Sequence, residues 1–398
     1  MGEPSDDEVS NEAWPRGSNP LVEGQNYEFV DRPSSRLWVI LGPRDMAPGR
    51  FAYYAAGMLL PGSVLFVSTL KEDFYQGMLD ELAAFIAAIA RRRGIADVVY
   101  AGISAGAFAA LALGLKDART RRILAFSPQF TLNYPLSIGH RTIIRSPSSA
   151  ARFNRRLLDI LPLAKASAVR CDVFLGLYDL ADGYTLEQAS QIDNANVRVH
   201  YVRYEHSVTV ALSRAGQMPG IFAAAESGAE VALPAALRGD AGDARLSARL
   251  YRMSLALENG QPVALPDDDD DSYVNPQWWN LKARLRYRDG DKARAAGDIA
   301  RAIALDPVSG SHFLTGGHIF RDLNIYRLAE ACYRSSAQLN PKNWQGPLAL
   351  ADIFAISGDR PGAELALDEA KKRGAPERPL ANVAAKLPPS APAQMRTG

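Results

Sequence analysis

The stretch DVVYAGISAGAFAALALGL, residues 97–115, decides the fold of the first part of the chain. An apolar run typical of a buried strand leads into Gly-Ile-Ser-Ala-Gly, and an alanine-rich run typical of a helix follows. Ser104 lies between Gly102 and Gly106, and such small residues are what a sharp strand-to-helix turn requires. The stretch therefore predicts a serine nucleophile on a tight turn, with its hydroxyl at the end of a buried strand.

Apolar runs on both sides of this stretch alternate with helical patterns. The helix predicted over 77–94 is apolar on one face, ends in three arginines and has Gly94 as a left-handed cap. Because strands that alternate with helices form parallel sheets, we predict an α/β fold with a mostly parallel sheet and helices on both faces. The other predicted strands are 36–42, 63–69, 122–127, 171–179 and 197–204.

Candidate partners for Ser104 follow two of the later strands. Asp179 ends the apolar run of 171–179, and Asp182, one turn further, is the reserve acid. His206 lies just beyond the strand at 197–204 and before an apolar helix that begins near Val208. An imidazole there is suited to take the proton of a serine hydroxyl, which is a poor nucleophile at neutral pH.

Together these residues resemble the α/β-hydrolase family over about residues 30–225. The resemblance implies Ser104 as nucleophile, His206 as general base and Asp179 as the acid that orients it, in the family's order of serine, acid and histidine. His200 lies inside a strand and is interpreted as structural or surface. The remaining histidines are interpreted as out of order or as packing and surface residues, namely His140, His312 and His318.

An oxyanion hole would need two backbone N–H groups near Ser104. The N–H of Ala105, at the start of the helix, is the first donor. The second should come from the loop LGPRD, residues 41–45. Because Pro43 has no N–H, either Arg44 or Gly42 must supply it.

Two short stretches narrow the substrate class. AFSPQF (125–130) and DFYQG (73–77) are similar to segments of α/β-hydrolases associated with bacterial surface polysaccharides. That resemblance implies an acyl group on a sugar, cut or transferred. The alternative for Ser-Pro-Gln is an ordinary turn at the end of a strand.

A second pattern begins after residue 273. Three sets of residues recur every 34 positions. They are Pro307 and Pro341; Gly290, Asn324 and Gly358; and Ala295, Ala329 and Ala363. A 34-residue period with small alanines and a closing proline resembles the tetratricopeptide repeat (TPR) over about residues 274–377. Trp279, Ile299, Phe313 and Tyr333 fill its large apolar columns. Arg286 and Ala375 depart from the pattern, at positions that favour an aromatic residue and a proline.

The bulk properties exclude several classes of protein. The 398 residues carry a net charge of +1, which gives no field for nucleic acid, and no apolar run is long enough to span a membrane. Two cysteines far apart indicate neither disulfides nor a metal cluster. The first residues lack a signal-peptide core, so we expect a cytoplasmic protein. No metal-ligand spacing, P-loop or dinucleotide motif is present, and we expect neither a metal nor a cofactor.

The sequence thus predicts a serine hydrolase that cleaves a small acyl or glycosyl ester or a thioester through an acyl-enzyme, with a repeat domain that docks a protein partner. An inactive hydrolase-fold scaffold and a serine peptidase are the alternatives. The predicted segments are an arm at 1–26, the hydrolase domain at 27–235, a helix and acidic linker at 236–273, the repeats at 274–385 and a tail at 386–398.

Overall fold

The computed structural model consists of two compact units, Met1–Arg252 and Met253–Gly398. The residues that it describes are 25–44, 46–47, 49–69, 74–132, 159–264 and 274–387. His140, the acidic run at 267–271 and most of the predicted arm and tail lie outside the described residues. The bounds of the five predicted segments stay predictions.

The first unit is built around a seven-stranded sheet of order β1-β3-β2-β4-β5-β6-β7. Strand β1 pairs with β3 antiparallel, and all other neighbours are parallel, as the strand and helix alternation predicts. The strands are β1 Gln25–Val30, β2 Arg36–Leu41, β3 Ser63–Thr69, β4 Asp97–Ile103, β5 Thr120–Phe126, β6 Arg170–Gly176 and β7 Val197–Val202. Strand β1 is not among the predicted strands, because this edge strand mixes polar and apolar residues and has no apolar run.

Helices cover the sheet on both faces. Leu37, Val39 and Leu41 of β2 belong to the core cluster that includes α2 and α3, whereas Trp38 and Ile40 belong to the cluster that includes α6 and α7. This alternation follows from the two-residue period of a strand. The helices are α1 Tyr54–Gly57, α2 Leu79–Arg93, α3 Ala105–Gly114, α4 Leu161–Lys165, α5 Gly183–Ala189, α6 Val208–Arg214, α7 Met218–Ser227 and α8 Ala241–Glu258.

Helices α2 and α8 show two further details of the first unit. Helix α2 ends at Gly94, whose φ of 62° confirms the predicted left-handed cap. The first part of helix α8 belongs to the first unit. There Ser247 Oγ donates a hydrogen bond of 2.7 Å to the carbonyl of Leu177.

The second unit is a run of paired helices that follows the predicted period. The residues of the glycine and asparagine column have φ values in the left-handed region, which are 88° for Gly290, 61° for Asn324 and 80° for Gly358. Each one turns the chain between two helices in a left-handed conformation, which glycine and asparagine tolerate best. The helices are α9 Pro276–Arg288, α10 Lys292–Leu305, α11 Gly310–Asp322, α12 Tyr326–Leu339, α13 Gln345–Ser357, α14 Arg360–Lys372 and α15 Glu377–Ala384.

The alanine column explains how the paired helices approach. Ala295, Ala329 and Ala363 are fully buried on the second helix of each pair. A small side chain there lets the two helices pack closely. Within the described residues, no helix combines the length and apolar character needed to cross a membrane.

Candidate active site

Ser104 occupies the sharp turn between β4 and α3. Its φ of 51° and ψ of −112° lie in a region that L-residues rarely adopt. Its backbone N–H is held by a hydrogen bond of 2.8 Å to the carbonyl of Phe126, at the end of β5. Strained backbone of this kind persists where the surrounding structure imposes it, and it places the hydroxyl at the carboxyl edge of the sheet.

The two glycines of the motif are required by close backbone contacts. A Cβ on Gly102 would overlap the carbonyl of Gly106, one turn along the chain. A Cβ on Gly106 would overlap the carbonyls of Leu41 and Gly42. Both positions therefore exclude any side chain, and this lets α3 begin directly beside the end of β2.

His206 lies on the loop between β7 and α6, within hydrogen-bond distance of Ser104. The distance from His206 Nε2 to Ser104 Oγ is 3.0 Å. Two features hold this loop in place. Ser127 Oγ donates a hydrogen bond to the carbonyl of His206, and a Cβ on Gly176 would overlap the carbonyl of Glu205.

The acid that hydrogen-bonds to His206 is Asp182. Both of its carboxylate oxygens lie 2.9 Å from His206 Nδ1, and the Asp182 side chain is fully buried. Because an ionised carboxylate only accepts, Nδ1 carries a proton, and in the neutral ring Nε2 is left to accept from Ser104 Oγ. Asp179, the acid expected first, has a carboxylate oxygen within 4.8 Å of both His206 and Asp182.

The one-turn displacement of the acid has a local cause. Beyond the end of β6, the N–H groups of Leu177 and Tyr178 still donate hydrogen bonds to the carbonyls of Val202 and Tyr204. The carbonyl of Asp179 then accepts from the N–H of Asp182 and closes a 3₁₀ turn over Leu180–Asp182. The extra turn carries Asp182 rather than Asp179 to the imidazole.

The charges around His206 set its pKa. Burial disfavours the imidazolium, but the carboxylate and hydrogen bond of Asp182, with a smaller contribution from Asp179, outweigh burial and raise the pKa to about 9. The positive charge of Arg44 acts in the opposite direction. The site is thus built to stabilise a protonated His206.

The structure also bears on the oxyanion donors. The N–H of Gly42 donates a 2.9 Å hydrogen bond to the carbonyl of Val67, so the sheet already uses it. This corrects the expectation that Gly42 could supply a donor. Arg44 follows on the same loop, where its guanidinium lies 5.2 Å from the ring centroid of Phe74. Ala105 lies at the start of α3, where helix N–H groups have no intrahelical acceptor.

The other described histidines lie elsewhere. His200, on β7, donates through Nε2 to Asp172 Oδ1 at 2.8 Å, and Asp172 Oδ2 accepts from Arg122 Nε at 2.7 Å. His312 is fully buried in the second unit, and burial lowers its pKa to about 4. Nδ1 of His318, in the same unit, lies 2.9 Å from the hydroxyl of Tyr333. These positions confirm the structural and packing interpretations.

Among the described residues, only Asp179, Asp182 and His206 form a group of three that could hold a metal ion. Both ring nitrogens of His206 are already engaged, one by Asp182 and one by Ser104. The donor set therefore suits proton transfer at Ser104 better than metal binding.

The second unit has a basic cavity of about 390 Å³ between α9 and α10. Cationic groups of Lys282 and Arg301 lie 5.1 Å and 4.5 Å from the ring centroid of Trp279. Arg286 pairs with Asp298 at 2.8 Å, which replaces the aromatic packing that the repeat pattern favours there. The cavity is lined by Trp279, Lys282, Arg286, Arg294, Gly297, Asp298 and Arg301, four basic residues against one acid.

The fold and this geometry define an α/β-hydrolase layout followed by TPR-like repeats. No protein-family model matches the sequence, and neither does any curated protein. Among solved structures, the capsule O-acetyltransferase of Neisseria meningitidis serogroup A is 15% identical, with 51% of this chain and 92% of that chain covered and a TM-score of 0.38. An esterase of Pyrococcus furiosus is 14% identical, with 50% and 84% covered and a TM-score of 0.37.

The repeats have similar structures of their own. An Arabidopsis TPR domain is 14% identical, with 28% of this chain and 92% of that chain covered and a TM-score of 0.27. The type III secretion translocator chaperone SycD of Yersinia enterocolitica is 21% identical, with 30% and 93% covered and a TM-score of 0.27. These likenesses describe fold alone.

Proposed function

We propose that the first unit is a serine hydrolase or acyltransferase that acts on an ester or thioester through an acyl-enzyme. The observation that carries the proposal is the chain of hydrogen bonds from Ser104 Oγ through His206 to Asp182, at the carboxyl edge of the sheet. Ser104 is the nucleophile, His206 the general base, and Asp182 takes the role first expected of Asp179.

The first half-reaction forms the acyl-enzyme. Ser104 Oγ attacks the acyl carbon while its proton passes to His206 Nε2, and Asp182 stabilises the imidazolium that results. Backbone N–H groups of Ala105 and Arg44 face the oxyanion in this proposal. As the tetrahedral intermediate breaks down, His206 returns the proton to the leaving oxygen or sulfur, and the acyl group stays on Ser104.

The second half-reaction decides between hydrolysis and transfer. Water or an acceptor hydroxyl loses its proton to His206 Nε2 and attacks the acyl carbon, and His206 then returns the proton to Ser104 Oγ. The same residues serve both outcomes. Exclusion of water from the site would favour transfer over hydrolysis.

The second unit is proposed to dock a protein partner. Stacked helix pairs present an extended surface, and the basic cavity beside Trp279 is complementary to an acidic segment. Calorimetry should detect binding of an oligo-glutamate peptide. Arg294→Glu should weaken that binding, because the Arg294 side chain lines the cavity and is 73% exposed. Equal binding of an oligo-lysine peptide would contradict the electrostatic account.

The cytoplasm is the proposed location. Cys171 and Cys332 are both free and buried, and unpaired cysteines suit a reducing compartment.

The enzymatic proposal is tested by ester turnover. Wild-type protein should hydrolyse p-nitrophenyl acetate, and Ser104→Ala should remove that activity without changing the melting temperature. Turnover that survives Ser104→Ala would reject Ser104 as nucleophile. A folded wild-type protein with no ester or thioester turnover would favour the inactive scaffold, and turnover of peptides alone would favour the peptidase.

A further inference from the structure

A buried glutamine near the candidate active site has a side chain with no hydrogen-bond partner. Gln129 is 1% exposed, and neither its Nε2 nor its Oε1 has a partner within the described part of the chain. Buried carboxamides are ordinarily satisfied, and each buried polar group left unpaired costs about 1–3 kcal/mol. An apolar residue would avoid this cost, so the carboxamide calls for an explanation.

Backbone contacts place Gln129 close to the Ser104 and His206 segments. Gln129 is three residues beyond Phe126, whose carbonyl accepts from the N–H of Ser104. It is two residues beyond Ser127, whose Oγ donates to the carbonyl of His206. The next residue, Phe130, is fully buried, and its carbonyl accepts from the N–H of Ile160. Bonds on both sides therefore fix this short segment at the carboxyl edge of β5.

The chemistry of the group indicates the class of ligand. A carboxamide offers two N–H donors and a carbonyl acceptor in one plane and carries no charge. Neighbouring hydroxyls of a sugar also donate and accept, and they too are uncharged. A charged ligand would instead call for a cation or a carboxylate at this position.

We propose that Gln129 determines specificity for a hydroxyl-rich, glycosyl alcohol in the ester substrate, through hydrogen bonds that its Nε2 donates and its Oε1 accepts. The inference rests on the proposed function, because it assigns the alcohol part of the substrate of that same site. The hydroxyls satisfy in the complex the donors and the acceptor that the protein alone leaves unpaired. Esters of alkyl alcohols leave them unpaired and are discriminated against.

The test compares two acetyl esters in wild type and Gln129→Met. The substrates are 6-O-acetylglucose, whose other hydroxyls are free, and hexyl acetate, which has none. Wild type should prefer the sugar ester, and Gln129→Met should lower the ratio of the two kcat/KM values by about 10- to 100-fold, the loss expected for one or two neutral hydrogen bonds. An unchanged ratio in Gln129→Met would overturn the proposal.

Thr120→Val provides the matched control. Thr120 opens β5 at the opposite end of the strand, and its Oγ1 is likewise buried without a partner among the described residues. Both substitutions remove an unpaired buried polar group, so both should keep or raise the melting temperature. Only Gln129→Met should change the substrate ratio. A higher melting temperature with an unchanged ratio would mean that Gln129 is merely an unsatisfied core residue.

A binding measurement separates this inference from the proposed function. If wild type turns over neither ester nor p-nitrophenyl acetate, the proposed function fails. The change in melting temperature on adding 6-O-acetylglucose then tests the role of Gln129 in binding, independently of catalysis. Stabilisation of wild type but not of Gln129→Met would support the inference, and stabilisation of both or of neither would overturn it.

Discussion

The first unit contains two aspartate–histidine pairs whose surroundings differ. His206 lies on a loop and Asp182 ends the 3₁₀ turn after β6, and His206 Nε2 is 3.0 Å from the hydroxyl of Ser104. His200 bonds Asp172, a β6 residue whose other oxygen is held by the buried guanidinium of Arg122. The same two residue types therefore meet a serine hydroxyl in one place and a buried guanidinium in the other. The two pairs differ in their third group, which is Ser104 for His206 and Arg122 for Asp172.

Electrostatics separates the two pairs in the same way. Burial alone would raise the pKa of Asp172, but the hydrogen bonds from His200 and Arg122 hold it below the usual value. At the other pair the stabilised ion is the imidazolium, since the pKa of His206 is raised to about 9. The surroundings of Asp172 thus stabilise a buried carboxylate, whereas those of His206 stabilise a protonated imidazole.

Replacing each histidine in turn should give the largest difference between the two pairs. His206→Ala should lower kcat for p-nitrophenyl acetate by about 10⁴-fold or more, because the general base is lost. His200→Ala should leave kcat of the folded protein within a few-fold of wild type and lower the melting temperature instead. Steady-state kinetics and thermal melts on both variants check this. Equal losses of activity would contradict the division of roles.

The acids should differ nearly as much. Asp182→Asn should cost about 10⁴-fold in kcat, the loss known for the orienting acid of a triad. Asp179 contributes less than Asp182 to the raised pKa of His206, so Asp179→Asn should cost about tenfold or less. If the kinetics show the reverse order, the acid assignment is wrong.

Stability should respond most at the other pair. Arg122 and Asp172 are each 1% exposed, so Arg122→Met leaves a buried carboxylate without its guanidinium and should cost about 3–5 kcal/mol of unfolding free energy. Urea denaturation measures the loss. The double variant Arg122→Met with Asp172→Leu should recover part of it, because no unpaired charge remains. A double variant less stable than the single one would contradict this account.

The smallest predicted change is a shift in pH dependence. Only neutral His206 accepts a proton, and its pKa is raised from 6.5 to about 9, so kcat/KM should rise with pH and level off near that value. Asp179→Asn removes a negative charge that contributes to the raised pKa, and the rise should move to lower pH. Rate profiles of both proteins test this. A shift to higher pH in Asp179→Asn would show that Asp179 does not act through its charge.

The sequence predicts well that Ser104 and His206 meet, because strong local patterns surround both. Gly102 and Gly106 mark the position of Ser104, because the close backbone contacts there leave no room for a side chain. His206 follows a strand in which apolar and polar residues alternate. The strands that build the sheet are likewise apolar runs. In the second unit, too, a local pattern predicts the structure, because Gly290, Asn324 and Gly358 recur where the chain turns in a left-handed conformation.

What the sequence could not provide depends on contacts between distant segments. The turn that brings Asp182 to His206 depends on the hydrogen bond between Asp179 and Asp182, and no pattern in the run 177–182 indicates it. Gly42 is excluded as a donor only because its N–H meets Val67 of a neighbouring strand. The unpaired state of Gln129 is invisible without the surrounding packing.

The most direct test of the central claim is covalent labelling with a fluorophosphonate probe, with the adduct mapped by mass spectrometry. Wild type, His206→Ala and His200→Ala are compared under the same conditions, and Ser104→Ala is the blank. The account predicts an adduct on Ser104 in wild type and in His200→Ala, and little or none in His206→Ala. Labelling of Ser104 that is independent of His206, or no labelling of the folded wild-type protein, would contradict it.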